Sequence, residues 1–101
     1  MTDRLSLQHI AALREAICSI APDTAAIRLF GSRLDDNTSG CDVDLMIDFD
    51  HPVEHPAALS ARLTVRAWRA IGGRQVDVLL RAPNLTQSAI HRIALEEGVL
   101  L

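Results

Sequence analysis

Apolar and polar residues follow one another along this chain with two different periods. In three segments the apolar residues recur at every third or fourth position, which predicts amphipathic helices. Two segments alternate strictly between polar and apolar residues, and one short apolar run ends at a glycine, which predicts three strands. The predicted elements are a helix at 6–20, strands at 27–30 and 42–49, a helix at 57–71, a strand at 75–80 and a helix near 85–97. Together they predict an α/β (α+β) fold with a three-stranded mixed sheet and helices packed on one face.

The last predicted helix has several candidate boundary residues. Asn84 or Thr86 is expected to cap its N-terminus, and Gly98 stands just past its end. The helical spacing predicts Ile90 and Ile93 as the residues that anchor this helix to the core.

Composition narrows the class of protein. The chain has 101 residues, of which 49% are apolar and 23% charged, so we expect one globular domain spanning 1–101. No apolar run approaches the ~20 residues of a membrane span, and the N-terminus lacks a secretion signal. The two cysteines make no disulfide framework, so we expect a cytoplasmic protein with free thiols. A net charge of −3 argues against stable nucleic-acid binding, and the absence of lysine excludes Schiff-base chemistry.

Three aspartates occupy matching positions on two alternating strands. Asp42 and Asp44 lie two residues apart, so they share one face of their strand, and Asp77 has apolar neighbours on both sides. If these strands lie close in the sheet, three carboxylates gather on one face, and Mg²⁺ is the cation that such oxygen ligands suit. The alternative is a set of solvent-facing acids. It is weakened by Met46 and Leu79, which share that face and make it partly apolar.

A candidate phosphate site precedes the aspartates. Gly31-Ser32 directly follows the predicted strand at 27–30, and Arg33 comes next. Glycine lets the backbone approach a ligand closely, and free N–H groups at a helix start attract anions. Nine residues separate Ser32 from Asp42. A phosphate cradle and a metal-binding carboxylate pair, joined by one short loop, can hold the two ends of a triphosphate chain. Arg33 could contact phosphate or neutralise the nearby acids.

These motifs resemble the signature of a known family. The segments at 29–33 (LFGSR) and Asp42–Asp48 (DVDLMID) resemble those of minimal nucleotidyltransferases of the DNA polymerase beta superfamily. The ending at 94–101 (ALEEGVLL) is similar to the usual close of that domain. The likeness covers roughly 25–101, and the helix at 6–20 fits the family's leading helix. The resemblance implies a polymerase beta palm-like nucleotidyltransferase fold.

The resemblance also implies roles for individual residues. Gly31 and Ser32 would bind the triphosphate of ATP or another NTP. Asp42 and Asp44 would hold two Mg²⁺ ions, and Asp77 would hold one of them and help to activate the attacking hydroxyl.

Two positions depart from the family pattern. Cys41 stands where the family most often has Ser, and Leu101 stands where an aromatic residue is common. Neither departure removes a ligand.

The predicted elements are all needed to cover the sheet, so the acceptor is expected to come from another molecule. Minimal nucleotidyltransferases are commonly antitoxins paired with helical HEPN-type toxins. The resemblance therefore implies an enzyme of the EC 2.7.7 type, similar to a protein adenylyltransferase, that moves AMP to a hydroxyl of a helical partner. The alternative is a catalytically silent binding module that neutralises the toxin by contact.

Other residues have both structural and functional interpretations. Cys41 is either a buried structural thiol or, less in keeping with its acidic neighbour, a redox switch. His51 and His55 have the spacing of a metal pair but lie in a proline-containing loop, which favours a structural reading. Three arginines on the helix at 57–71 either form a solvated face or dock an acidic partner together with Trp68; they are Arg62, Arg66 and Arg69.

Overall fold

A computed structural model describes residues 7–30, 42–73 and 75–101 of the chain. These residues form three helices and a sheet of four strands. In chain order the elements are α1 (Leu7–Ile20), β1 (Ala26–Phe30), β2 (Asp42–Asp48), α2 (Pro56–Ala70), β3 (Gln75–Arg81), α3 (Ala89–Glu97) and β4 (Val99–Leu100). The strand order is β3-β2-β1-β4; β2 runs parallel to β3 and antiparallel to β1, and β4 pairs antiparallel with β1. The expected α+β class with a mixed sheet is confirmed, and β4 is a strand beyond the three expected.

One face of the sheet packs against α1 and α2. Every second residue of the strands is buried there, as the alternating pattern predicts. Leu13 and Ile17 of α1 and Leu63 of α2 are fully buried against this face. The strand residues of this core are Ile27, Leu29, Val43, Leu45, Ile47, Val76 and Leu80. Burial of each large side chain stabilises the fold by about 1.5–3 kcal/mol.

The opposite face of the sheet carries α3. Met46 is fully buried on that face and packs with Phe30 of β1 and Ala94 of α3. Leu79 and Leu95 complete this smaller cluster. The structure thus differs from the expected packing of every helix on one face. The physical reason is that Met46, Phe30 and Leu79 form an apolar patch that has to be shielded from water.

The anchors of α3 differ from those that its sequence pattern indicates. Ile90 and Ile93 are 47% and 43% exposed, and His91 and Ala94 are buried instead. A shift of one position turns a helix by about 100°. The small side chain of Ala94 lets the helix lie close to the sheet, whereas two isoleucines would hold it away.

The start of α3 is fixed by Ser88 rather than by Asn84 or Thr86. The Ser88 backbone N–H donates to Nδ1 of His91 at 3.0 Å, within a reciprocal capping box. The Nε2–H of His91 donates to the carbonyl oxygen of Leu80 on β3 at 3.0 Å. His91 therefore joins the first turn of α3 to the end of β3.

Glycines allow two sharp changes of direction. Gly72 and Gly73 have φ values of +74° and +88° and follow the end of α2. At Gly98, a Cβ atom would collide with the carbonyl oxygen of Ala94 and would lie 3.2 Å from that of Leu29. Glycine at this position lets the chain leave α3 and enter β4 directly beside β1.

None of the helices within the described residues is long and apolar enough to cross a membrane.

Candidate active site

The strand register brings two of the predicted site aspartates together. In the parallel pair of β2 and β3, Asp44 lies directly opposite Asp77. Neighbouring strands are about 4.8 Å apart, and register partners present their side chains to the same face. Asp42 lies two positions before Asp44, with its backbone in register with Gln75. Asp44 and Asp77 thus form the described part of a possible acidic site.

The surroundings of this pair are mixed in polarity. Asp77 is exposed and Asp44 is half-buried. Phe30 of β1 pairs with Asp44 from the other side, while Met46 and Leu79 follow the two aspartates along their strands. Helix α3 covers Met46 on this face of the sheet. The carboxylates of Asp44 and Asp77 lie next to the part of the face that α3 covers. Asp44 is therefore not a simple solvent-facing acid.

Two facing carboxylates repel each other unless a cation lies between or beside them. Carboxylate oxygens are the ligands that Mg²⁺ takes in sites completed by substrate phosphates, so the donor chemistry of Asp44 and Asp77 fits this ion. Among the side chains that the structure describes, no group of three His, Cys, Asp or Glu residues could hold a metal ion. The Asp42 side chain, the third predicted ligand, lies outside the described part of the chain.

The predicted phosphate-binding residues Gly31, Ser32 and Arg33 lie outside the described residues, and so does Cys41. The last described residue before this segment has a defined position in the sheet. Strand β1 ends at Phe30, opposite Asp44, and Gly31 is the next residue.

Asp48 has a different role from the other aspartates of its strand. It is buried, and it forms an ion pair and hydrogen bond with Nη1 of Arg28. Nη1 of Arg81 lies 3.7 Å from its other oxygen. The strand pattern includes Asp48 in the segment Asp42–Asp48 without identifying these partners. The available signal was Arg28, a charged residue within the otherwise apolar strand β1.

The two loop histidines, His51 and His55, each lie near one acidic residue. His51 forms an ion pair with Asp23, and His55 lies 3.9 Å from Glu54 at the surface. A hydrogen bond to the carbonyl oxygen of Pro52 and the nearby Asp23 carboxylate raise the pKa of His51 above its ordinary value. Their neighbourhood also lacks a three-residue metal group among the described side chains.

A cavity of about 440 Å³ lies beside these histidines and is lined also by Phe49 and Leu59. Phe49 belongs to the core on the α1 and α2 face. The cavity therefore lies on the opposite side of the sheet from Asp44 and Asp77, and it is a poor candidate for the place where the predicted site holds a triphosphate.

Comparison with known proteins bears on these observations. A family model described as a nucleotidyltransferase domain matches residues 10–101. The match includes most of α1 and every described element that follows. No curated protein sequence matches the chain. The resemblance carried by residues 29–33, Asp42–Asp48 and 94–101 is thereby confirmed.

Proposed function

We propose a specific transfer reaction for this protein. The premise is that the chain belongs to the nucleotidyltransferase domain family. The protein transfers a nucleoside monophosphate, AMP from ATP, to a hydroxyl group of a partner protein and releases pyrophosphate. The partner is a helical protein, a HEPN-type toxin for which this chain is the antitoxin. Family membership supports nucleotide transfer in general. The choice of AMP, of a protein acceptor and of a toxin belongs to the proposal.

The parallel register of Asp44 and Asp77 is the observation that carries this proposal. Carboxylates that converge from neighbouring strands can hold a metal ion between them, together with the phosphates of the substrate. Asp44 comes from β2 and Asp77 from β3, and Asp42 stands on β2 two positions before Asp44. With Asp42, these residues would hold Mg²⁺ in a two-metal site.

The proposed reaction forms a bond between the acceptor oxygen and the α-phosphorus of the NTP. The bond from that phosphorus to the oxygen leading to the β-phosphate breaks, and pyrophosphate leaves. Asp42, Asp44 and Asp77 would hold Mg²⁺, which would supply electrostatic stabilisation of the negative charge on the transferred and leaving groups. Asp77 holds the acceptor hydroxyl and receives its proton, while Gly31, Ser32 and Arg33 bind and orient the triphosphate.

A partner-supplied acceptor is supported by how the described elements are used. Helices α1 and α2 cover one face of the sheet and α3 covers part of the other. Each of the three described helices therefore packs on the sheet, and the proposal assigns the acceptor to the partner. The assignment of the partner as a HEPN-type toxin is supported by family resemblance alone.

A second candidate is a module that neutralises its partner by contact, without turnover. The observation that favours it is the exposed Trp68, which lies on α2 among exposed arginines and away from the aspartates. Both candidates require the partner to bind, so binding alone does not separate them.

Labelled nucleotides test the proposed reaction. The purified protein, Mg²⁺ and the product of the neighbouring gene are incubated with each of the four NTPs labelled at the α-phosphate. We expect label to pass to a hydroxyl of the partner, with ATP as the preferred donor. Asp44→Asn should abolish the transfer. Asp50→Asn, which removes an exposed loop carboxylate, is the matched control and should retain it.

Neutralisation in cells separates the two candidates. An Asp42→Asn, Asp44→Asn double variant should lose protection against the toxin if transfer is the mechanism. Full protection at native expression level would overturn the catalytic proposal and leave the contact mechanism.

A further inference from the structure

The outward side of α2 combines exposed apolar and cationic residues. Val65 and Trp68 are 47% and 45% exposed. Arg62, Arg66 and Arg69 are exposed beside them. We use the name α2 outer surface for these five residues.

The two kinds of residue form separate stripes along the helix axis. Positions 62, 66 and 69 follow the spacing of one helix face, and positions 65 and 68 follow that of the adjoining face. On the arginine side, a groove of about 400 Å³ separates α2 from Ile20 at the end of α1. On the other side, a groove of about 350 Å³ separates Trp68 from Gln75 and Val76 of β3. The surface is therefore a ridge between two grooves rather than a flat patch.

The charge of this surface is opposite to that of the chain as a whole. Helix α2 contains no acidic residue, although the protein has a net charge of −3. Within the described residues, no carboxylate comes within ion-pair distance of Arg62, Arg66 or Arg69. Arg66 donates a hydrogen bond to the hydroxyl of Ser19 at 3.2 Å, which holds its side chain along the surface. Arginine and tryptophan are two of the residue types that are enriched in binding hot spots.

We propose that the α2 outer surface docks an amphipathic helix of a partner protein that carries acidic residues along one flank. A helix lying beside α2 would place apolar side chains in the grooves on either side of Val65, as ridges and grooves pack between helices. Its acidic flank would then face the three arginines. Nucleic acid is a weaker match, because three cations on a protein of net charge −3 release few counterions.

The position of this surface gives the docked helix access to the candidate active site. Strand β3 is an edge of the sheet, and the groove beside Trp68 is lined by Gln75. Asp77 lies two residues further along the same strand and shares with Gln75 the face of the sheet that is turned away from α2. A partner that docks on α2 can therefore extend around this edge toward the aspartates. The docking proposal does not itself depend on nucleotide transfer, since none of its residues belongs to the proposed catalytic set.

Trp68 supplies a direct readout, because it is the only tryptophan of the chain. The probe is a designed helical peptide of about 14 residues, which spans the length of α2. It carries leucines on one face and glutamates along one flank. A twin peptide has lysine in place of every glutamate. We expect the acidic peptide to shift the Trp68 emission to the blue in a saturable manner, and the basic twin to bind more weakly by roughly tenfold or more.

Charge reversal in the protein is the matched test. An Arg62→Glu, Arg66→Glu, Arg69→Glu variant should reverse the preference and favour the basic twin. Arg92→Glu changes an exposed arginine on α3, on the other side of the sheet, and should bind like the unchanged protein. Circular dichroism checks that both variants are folded. Should the triple variant fail to fold, Arg62→Gln and Arg69→Gln are tested singly, and each should weaken binding of the acidic peptide.

Several results would overturn the proposal. One is an unchanged Trp68 emission at saturating acidic peptide, and another is equal binding of both peptides by the unchanged protein. Tighter binding of a single-stranded RNA of similar length would assign the surface to nucleic acid. A concentration-dependent emission shift with a doubled mass, in the absence of peptide, would assign it to a second copy of this chain. Nucleotide transfer is measured separately, so loss of docking and loss of chemistry can be told apart.

Discussion

Strand β2 carries Asp44 in its first half and Asp48 at its last residue, on the same face of the sheet but with different residues in register on β3. Asp48 is buried and lies against Arg28 and Arg81. Asp44 lies opposite a second carboxylate, that of Asp77. The two positions are four residues apart along the chain, which corresponds to roughly 13 Å along a strand.

The partner strand decides the role of each carboxylate. The residue of β3 in register with Asp48 is Arg81, so the protein supplies its own cation there. The residue in register with Asp44 is Asp77, so the register sets two acidic residues side by side, and carboxylates are the ligands that a divalent cation takes. Met46, buried under α3, separates the two positions. An Asp on a strand is therefore interpretable only after its cross-strand neighbours are known.

The largest expected effect belongs to the pair of facing aspartates. Asp77→Asn keeps the side-chain shape but removes a charge that would hold Mg²⁺ and accept the proton of the acceptor hydroxyl. We expect the rate of nucleotide transfer to fall by roughly a hundredfold or more, because the electrostatic stabilisation at stake is several kcal/mol. Without metal, the fold should be unchanged or more stable by about 0.2–1 kcal/mol, since a like-charge pair is removed. Single-turnover transfer assays and thermal unfolding check both parts; a transfer rate close to that of the unchanged protein would contradict the assignment.

At Asp48 we expect the reverse: a loss of stability without a loss of nucleotide transfer. Asp48→Asn leaves Arg28 and Arg81 without their shared carboxylate in a mostly buried position. We expect the free energy of unfolding to fall by about 2 kcal/mol, with nucleotide transfer retained at temperatures where the variant is folded. Urea unfolding measures the first and the transfer assay the second. If stability is unchanged and transfer is lost, Asp44 and Asp48 have been assigned the wrong way round.

A smaller effect is expected for the exposed pair of His51 and Asp23. The hydrogen bond to the Pro52 carbonyl and the Asp23 carboxylate raise the folded-state pKa of His51 above 6.5, so these contacts stabilise the fold below pH 6.5 and their contribution is lost as pH rises through the raised pKa. His51→Gln should therefore lower the melting temperature slightly in mildly acidic buffer and leave it unchanged in alkaline buffer. Asp23→Asn should show the same pH dependence. A difference in melting temperature between variant and unchanged protein that grows toward alkaline pH would contradict the pairing of His51 and Asp23.

Local sequence patterns were sufficient for most of the fold. The apolar periods of α1, α2 and the strands predicted these elements with ends within about two residues of those observed, and the α+β class followed from them. The hydrophobic pattern did not predict the features that depend on contacts between residues distant in the chain. Strand β4 has two residues and exists only because it pairs with β1. The orientation of α3 depends on an apolar patch formed by Phe30, Met46 and Leu79 from three strands.

For the candidate site, the sequence predicted the strands on which the aspartates lie. Alternation placed the aspartates on polar faces of their strands, and the structure added the register that sets Asp44 against Asp77. The ion-pair role of Asp48 was not predicted, because the arginines that decide it lie 20 residues before it and 33 residues after it in the chain. The phosphate-binding role of Gly31, Ser32 and Arg33, and the metal-binding role of the aspartates, stay predictions.

Site-resolved metal binding tests the central claim most directly. Mn²⁺ accepts the same oxygen ligands as Mg²⁺ and broadens the NMR signals of nearby nuclei. The backbone amide signals of uniformly labelled protein are followed as Mn²⁺ is added in small amounts, with Asp48 as the internal control. We predict that signals from residues 43–45 and 76–78 broaden first, and that Asp44→Asn removes this effect. Earlier broadening around Asp48, or equal broadening across the whole protein, would contradict the claim that the facing aspartates are the metal-binding end of the sheet.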